Sequence, residues 1–302
     1  MSDDPSLVDR LRDNRRGIYW MLVTTGLFTS LDATAKYLAQ DYPVPQVLWA
    51  RFTFHLVFVA LVLGVRLSVT LHSQRLSLQL LRSLLMLVTT AMFFFAVRAL
   101  PLADVVAIMF VGPLFVTALS VPLLGDYVGP RRWTAVAIGF LGALVVVRPG
   151  SGIMQGLAVL PLLAAFSHAL YTITTRKLAS HDLPMTTLFY TAALGGVATT
   201  AIVPFFWVTP DVRGWLLMAL LGVFGAAGHL TLIKALGYAS PVVVAPLTYA
   251  SLIWSIGYGF VLFGDLPDAM TLLGAALIAA SGLYVFHRER IRAADAAPAR
   301  DQ

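Results

Sequence analysis

The chain has 302 residues, of which 59% are hydrophobic and 12% charged, with a net charge of +6 and a mean hydropathy of +0.82. A soluble globular protein carries about 25% charged residues, so this composition is that of a membrane protein, and the basic excess is read as an orientation signal instead of a nucleic-acid footprint. The lack of cysteine excludes disulfides, thiolate metal sites and cysteine nucleophiles.

The polar N-terminus, "MSDDPSLVDRLRDNRRGIYW", leads into an apolar run near Gly17 that is too long for the core of a signal peptide and lacks a small-residue cleavage site. The first helix is therefore expected to be an uncleaved anchor. A crossing helix needs about 20 largely apolar residues, and ten such runs follow, at 17–38, 45–65, 76–98, 102–123, 131–148, 152–175, 185–207, 213–236, 240–263 and 269–287. Between them lie short loops marked by proline, glycine or charge, such as "DYPVP", "RPGSG" and "GDLPD". With the N-terminus inside, 16 of the 21 lysines and arginines fall on cytoplasmic segments, Arg82 counted among them. That bias predicts both termini in the cytoplasm.

Polar residues inside the apolar runs are the best functional evidence, because a charge at a helix centre costs about 2.5–3.5 kcal/mol on the insertion scale. In helix 1, Asp32 and Lys36 share a face with the acid first, the better order for an ion pair. They either pair near the external surface or face a substrate. Arg51, some six residues into helix 2, either holds Asp32 or binds an anionic substrate group through its planar fork. In helix 3, Phe94 belongs to an aromatic run, and Arg98 ends the helix just before Pro101. Arg98 is either a helix-terminal charge favoured by the dipole or part of a gate.

Pro113 and Pro246 are expected to bend helices 4 and 9. In helix 6, His168 sits beside Ser167, Tyr171 and Thr172; in helix 8, His229 lies among small residues. Each histidine is a packing residue or a proton carrier, and no pair has the spacing of a zinc protease. Tyr249 and Trp254 lie near the middle of helix 9, too deep for the interfacial belt that explains Tyr19, Trp20, Trp133 and Trp215. They either line a pocket for a planar solute or pack between helices. In helix 10, Ala275 with Ala279 and Ala276 with Ala280 have the four-residue spacing of close helix contacts.

Five plus five spans suggest a duplication. Ala99-Leu100 matches Ala235-Leu236, Gly125-Asp126 matches Gly264-Asp265, and Gly142 matches Gly282. An odd number of spans per half inverts the second copy, the architecture of carriers whose site lies at the repeat interface. The segments "FFFAVRALPLADVVAIMFVGPLF", "LLGDYVGPRRW", "VVVAPLTYASLIWS" and "GAALIAASG" resemble the two EamA repeats of the drug/metabolite transporter superfamily. The resemblance covers about residues 17–287. Where that family usually has glutamate after the glycine closing helices 4 and 9, this chain has Asp126 and Asp265.

The expected fold is an all-α polytopic membrane protein of ten transmembrane helices in two inverted five-helix repeats. Its parts are a cytoplasmic segment 1–16, a first repeat 17–150, a second repeat 151–287 and a cytoplasmic tail 288–302. The resemblance implies a secondary carrier of a small organic metabolite in the cytoplasmic membrane. The solute is an amino acid, a vitamin such as riboflavin, or a nucleoside-type cofactor such as S-adenosylmethionine. Its expected substrate contacts are Asp32, Lys36, Arg51, Phe94, Arg98, His168, Tyr171, His229, Tyr249 and Trp254. The small solute and the lipid bilayer are the expected partners, with no nucleic acid, cofactor, metal or catalytic residue. Proton coupling through a histidine or Asp32 is compatible with the sequence, as is facilitated diffusion. The competing class is a polytopic membrane enzyme acting on a lipid-linked substrate.

Overall fold

The computed structural model describes residues 5–64, 72–148 and 157–295. Helices α1 (Pro5–Asp41), α2 (Val44–Leu63) and α3 (Leu76–Ala99) come first. They are followed by α4 (Leu102–Leu124), α5 (Pro130–Val147), α6 (Val159–Leu178) and α7 (Pro184–Ile202). Last are α8 (Val212–Tyr238), α9 (Ala245–Phe263) and α10 (Ala269–Asp295). Among the described residues, eight of these are long and apolar enough to cross a membrane; α1 and α6 are not in that set. Those two hold Asp32, Lys36, His168, Arg176 and Lys177, whose polarity offsets the apolar positions around them. The protein is thus an all-helical multi-pass membrane protein, and the expected count of ten is not reached by hydropathy alone.

Two helices are interrupted where proline dictates. Proline lacks an N–H, and its ring clashes with the carbonyl four residues earlier. For Pro113 that residue is Met109, and there the first piece of α4 (Leu102–Met109) ends before the second (Gly112–Leu124) begins. Pro246 likewise sits in a tight 3-10 turn, Ala245–Tyr249, ahead of Ala250–Tyr258. Both helices then close in the same way. Gly125 takes φ 73° and Gly264 φ 70°, left-handed conformations that suit glycine. The Gly125 and Gly264 amides donate to Val121 and Phe260, and the Asp126 and Asp265 amides to Ser120 and Gly259. The Gly-Asp motif is therefore a matched helix cap in the two halves.

Packing repeats the pattern. The α1 helix lies along α8 as α6 lies along α3; α2 meets α8 as α7 meets α3; α1 touches α9 as α6 touches α4. Each pair maps onto the other when the halves are exchanged, so each half is completed by helices of the other. The α5 and α10 helices pack mainly on each other, and both also touch α4. A Cβ on Gly142 would lie 2.9 Å from the Gly274 carbonyl oxygen, and one on Gly274 would lie 2.6 Å from that of Gly142. These glycines bring the two backbones together; of the alanine ladder, Ala275 is buried and Ala279 half-buried, while Ala276 and Ala280 are exposed.

Candidate functional site

A cavity of about 430 Å³ lies between the two halves, within the 300–1,000 Å³ typical of small-molecule sites. Its wall takes Phe28 and Asp32 from α1, Arg51 from α2, Phe93 and Phe94 from α3 and Phe110 from the break in α4. From the other half come His168 and Tyr171 of α6, His229 of α8, and Thr248 and Ser251 of α9. Six of the ten expected residues therefore meet here: Asp32, Arg51, Phe94, His168, Tyr171 and His229. The other four are not among its lining residues.

Lys36 donates to the Leu100 carbonyl at 2.8 Å and to Asp265 at 3.0 Å, so it neither pairs with Asp32 nor lines the cavity. Its side chain follows α1 onto the cap of α9 instead of turning back one helical turn. Arg98 is exposed in the last turn of α3. The Tyr249 ring packs 4.8 Å from Phe110, and its hydroxyl lies 2.0 Å from where a Cβ on Gly282 would stand. Trp254 donates to Thr25, itself a lining residue, at 3.2 Å, joining α9 to α1.

Three features bear on the chemistry of the wall. Arg51 is 4% exposed, and its Nε and Nη1 have no hydrogen-bond partner. One turn along α2, His55 is 1% exposed with both ring nitrogens unpartnered, its ring 5.7 Å from that of His229. His229 in turn meets Phe28 edge-on at 5.1 Å. The third feature, Arg82, is the opposite of Arg51. It is 5% exposed and donates to Thr175, the Thr187 carbonyl, Thr191 and the Tyr171 hydroxyl at 2.6–3.0 Å. Arg82 is thus not a surface charge of a cytoplasmic segment. It ties α3 to α6 and α7 and holds Tyr171, which stacks on His168 at 5.5 Å.

Sequence reading missed His55 and Arg82. The signal for His55 was its spacing of four from Arg51, which places both on one face of α2. For Arg82 it was depth, six residues into α3.

Ion pairs between the two halves flank the cavity. Lys36 of α1 reaches Asp265 at the end of α9; Arg176 of α6 reaches Asp126 at the end of α4 at 3.1 Å. The two pairs are equivalents under exchange of the halves. The first is the less exposed, with Lys36 9% accessible in its side chain against 66% for Arg176.

The EamA-like transporter family model matches the chain twice, over residues 15–148 and 155–286. A riboflavin transporter of Vibrio cholerae is 29% identical over 277 residues, covering 89% of this chain and 92% of its own. An S-adenosylmethionine uptake transporter of Rickettsia felis is 27% identical, covering 93% and 96%. A pseudopaline exporter of Pseudomonas aeruginosa is 26% identical, covering 87% and 93%. A solved crystal structure has the same fold, with a TM-score of 0.60 at 17% identity over 91% of this chain and 97% of its own.

Proposed function

Because the chain belongs to the EamA-like transporter family, we propose that it carries a small organic metabolite across the cytoplasmic membrane by alternating access around the cavity between its halves. The observation that carries this reading is the wall itself: both halves supply it, and an ion pair joining the halves flanks it toward each end. The proposed organisation has ten spans, with repeats at 17–150 and 151–287. The cytoplasmic segments are 1–16 and 288–302, as the basic residues favour. In that topology Lys36–Asp265 lies at the external face and Arg176–Asp126 at the cytoplasmic face. Alternating access then consists of breaking one pair while the other holds, with α4 and α9 bending at their proline breaks.

The proposed substrate contacts are Asp32, Arg51, Phe94, His168, Tyr171 and His229, with Lys36 reassigned to the external pair. The relatives' names, which give riboflavin, S-adenosylmethionine and pseudopaline, support a small organic solute of that size. Asp32, His168 and His229 are the carriers for a coupled proton, and comparing flux with and without a pH gradient tests that role. The competing reading, an enzyme acting on a lipid-linked substrate, needs free carboxylates at a membrane face. Asp126 and Asp265 are engaged by Arg176 and Lys36, Asp268 by Arg148, and Asp182 by Ser73 and Gln79; Asp104 keeps one oxygen without a hydrogen-bond partner, and among the described residues no three such groups are placed to hold a metal ion.

A thermal-shift screen of purified protein against amino acids, vitamins and nucleosides, followed by flux of each hit into proteoliposomes, tests the carrier reading. A hit that is chemically converted but never transported overturns it.

A further inference from the structure

The cavity wall carries one cationic and one anionic side chain that make no direct contact with each other. Arg51 and Asp32 both line it, from α2 and α1, and among the described residues no ion pair within 4 Å joins them. Lys36, one turn from Asp32, is committed to Asp265 and Leu100. Leaving a buried guanidinium without acceptors costs free energy. The fold satisfies such a group where the task is structural, since Arg82, equally buried, has four acceptors. Arg51 lines the cavity, and its Nε and Nη1, both closed off from solvent, have no hydrogen-bond partner. Around the two charges the wall is ring-lined, by Phe28, Phe93, Phe94, Phe110 and Tyr171.

We propose that the site selects an amphoteric solute with a ring: a carboxylate or similar anion seated on the Arg51 fork, a cationic amino group on Asp32, and the ring against the phenylalanines. The assignment rests on reading this cavity as the transport site. An amphoteric molecule answers both charges and brings no net charge into the membrane interior. A simple anion leaves Asp32 unanswered and a simple cation leaves Arg51 unanswered, so specificity comes from the penalty on partial matches. Arginine suits the anion site because two parallel N–H donors fix the plane of a carboxylate, which a lysine does not.

Binding to the full chain in lipid nanodiscs tests this with probes that share a ring and differ only in charge. One series is tryptophan, tryptamine, indole-3-propionate and 3-methylindole; the other is phenylalanine, phenethylamine, 3-phenylpropionate and ethylbenzene. The wild type is expected to bind at least one of the two zwitterions about tenfold or more tighter than its three analogues. R51Q is expected to bind that zwitterion and its amine equally, and D32N to bind the zwitterion and its acid equally. R51K is expected to keep the carboxylate preference at reduced affinity.

Equal binding of the amines or the neutral rings by the wild type overturns the assignment. So does a preference that survives in a monodisperse R51Q protein, or failure of both zwitterions to bind. Proteoliposome flux separates this from the carrier reading. A zwitterion bound but not moved removes the carrier and keeps the charge assignment; flux indifferent to charge does the reverse.

Discussion

Replacing Arg82 with methionine removes every hydrogen bond that its guanidinium makes to α6 and α7. Hydrogen bonds to charged groups contribute about 1.5–3 kcal/mol each, with partial compensation by neighbours. R82M is therefore expected to lose about 2–4 kcal/mol, read as a lower melting temperature and poorer yield. R51Q removes a buried charge that has no hydrogen-bond acceptor at Nε or Nη1, so its melting temperature is expected to hold or rise. Its flux is expected to fall at least about tenfold, the loss of about 1.4 kcal/mol of substrate interaction. A destabilised R51Q with intact flux contradicts the assignment of these two arginines. Composition cannot distinguish them, because both are single basic residues in apolar runs. The difference is whether α6 and α7 bring hydroxyls to the guanidinium.

At the scale of the element, close approach and loop tethers set the tolerances. A methyl group on Gly282 would overlap the Tyr249 hydroxyl, and overpacking of this kind costs about 1–3 kcal/mol. G282A is expected to lower stability, and combining it with Y249F to restore most of the loss, as thermal melts of the two variants will show. In the loop after α6, partial burial pushes the Asp182 carboxyl up. Hydrogen bonds from Ser73, the Gln74 amide and Gln79 outweigh that and hold it below its ordinary value. At the foot of α10, the bond from Arg148 and that from the Thr271 amide bring Asp268 down to about 2. A depressed carboxyl contributes stability that is complete above its unfolded pKa and lost as pH falls through the folded value. Wild-type melting temperature is thus expected to exceed that of D182N at pH 7. The gap should close as pH drops below the usual carboxylate range, and a constant gap across pH 3–7 would contradict the tether.

At the scale of the whole molecule, the two cross-repeat ion pairs are expected to report the state of the carrier. The chain has no cysteine, so S251C places a single thiol on the cavity wall. Adding D265N is expected to raise its labelling severalfold by an impermeant reagent from the external face. Adding D126N should do so from the cytoplasmic face, and exchanging the charges as K36D/D265K should restore the unlabelled state. Labelling unaffected by either change would remove the pairs from the gating scheme. The Gly-Asp motif was legible as a repeat marker, and the glycine's left-handed cap explains its recurrence. Its partners were not legible, since Lys36 lies 229 residues from Asp265.

The sequence by itself determined the solvent, the approximate helix limits and the duplication, because hydropathy, proline and glycine act locally. It also singled out Asp32, Arg51, His168 and His229, since a polar group in an apolar run is costly wherever the helix goes. Only the tertiary structure decided which polar groups answer one another. It sent Lys36 across to the other half, satisfied Arg82 and left Arg51 open. The physical reason is that a helix specifies which face a residue occupies, while the identity of what it meets depends on helices brought against it from the opposite half.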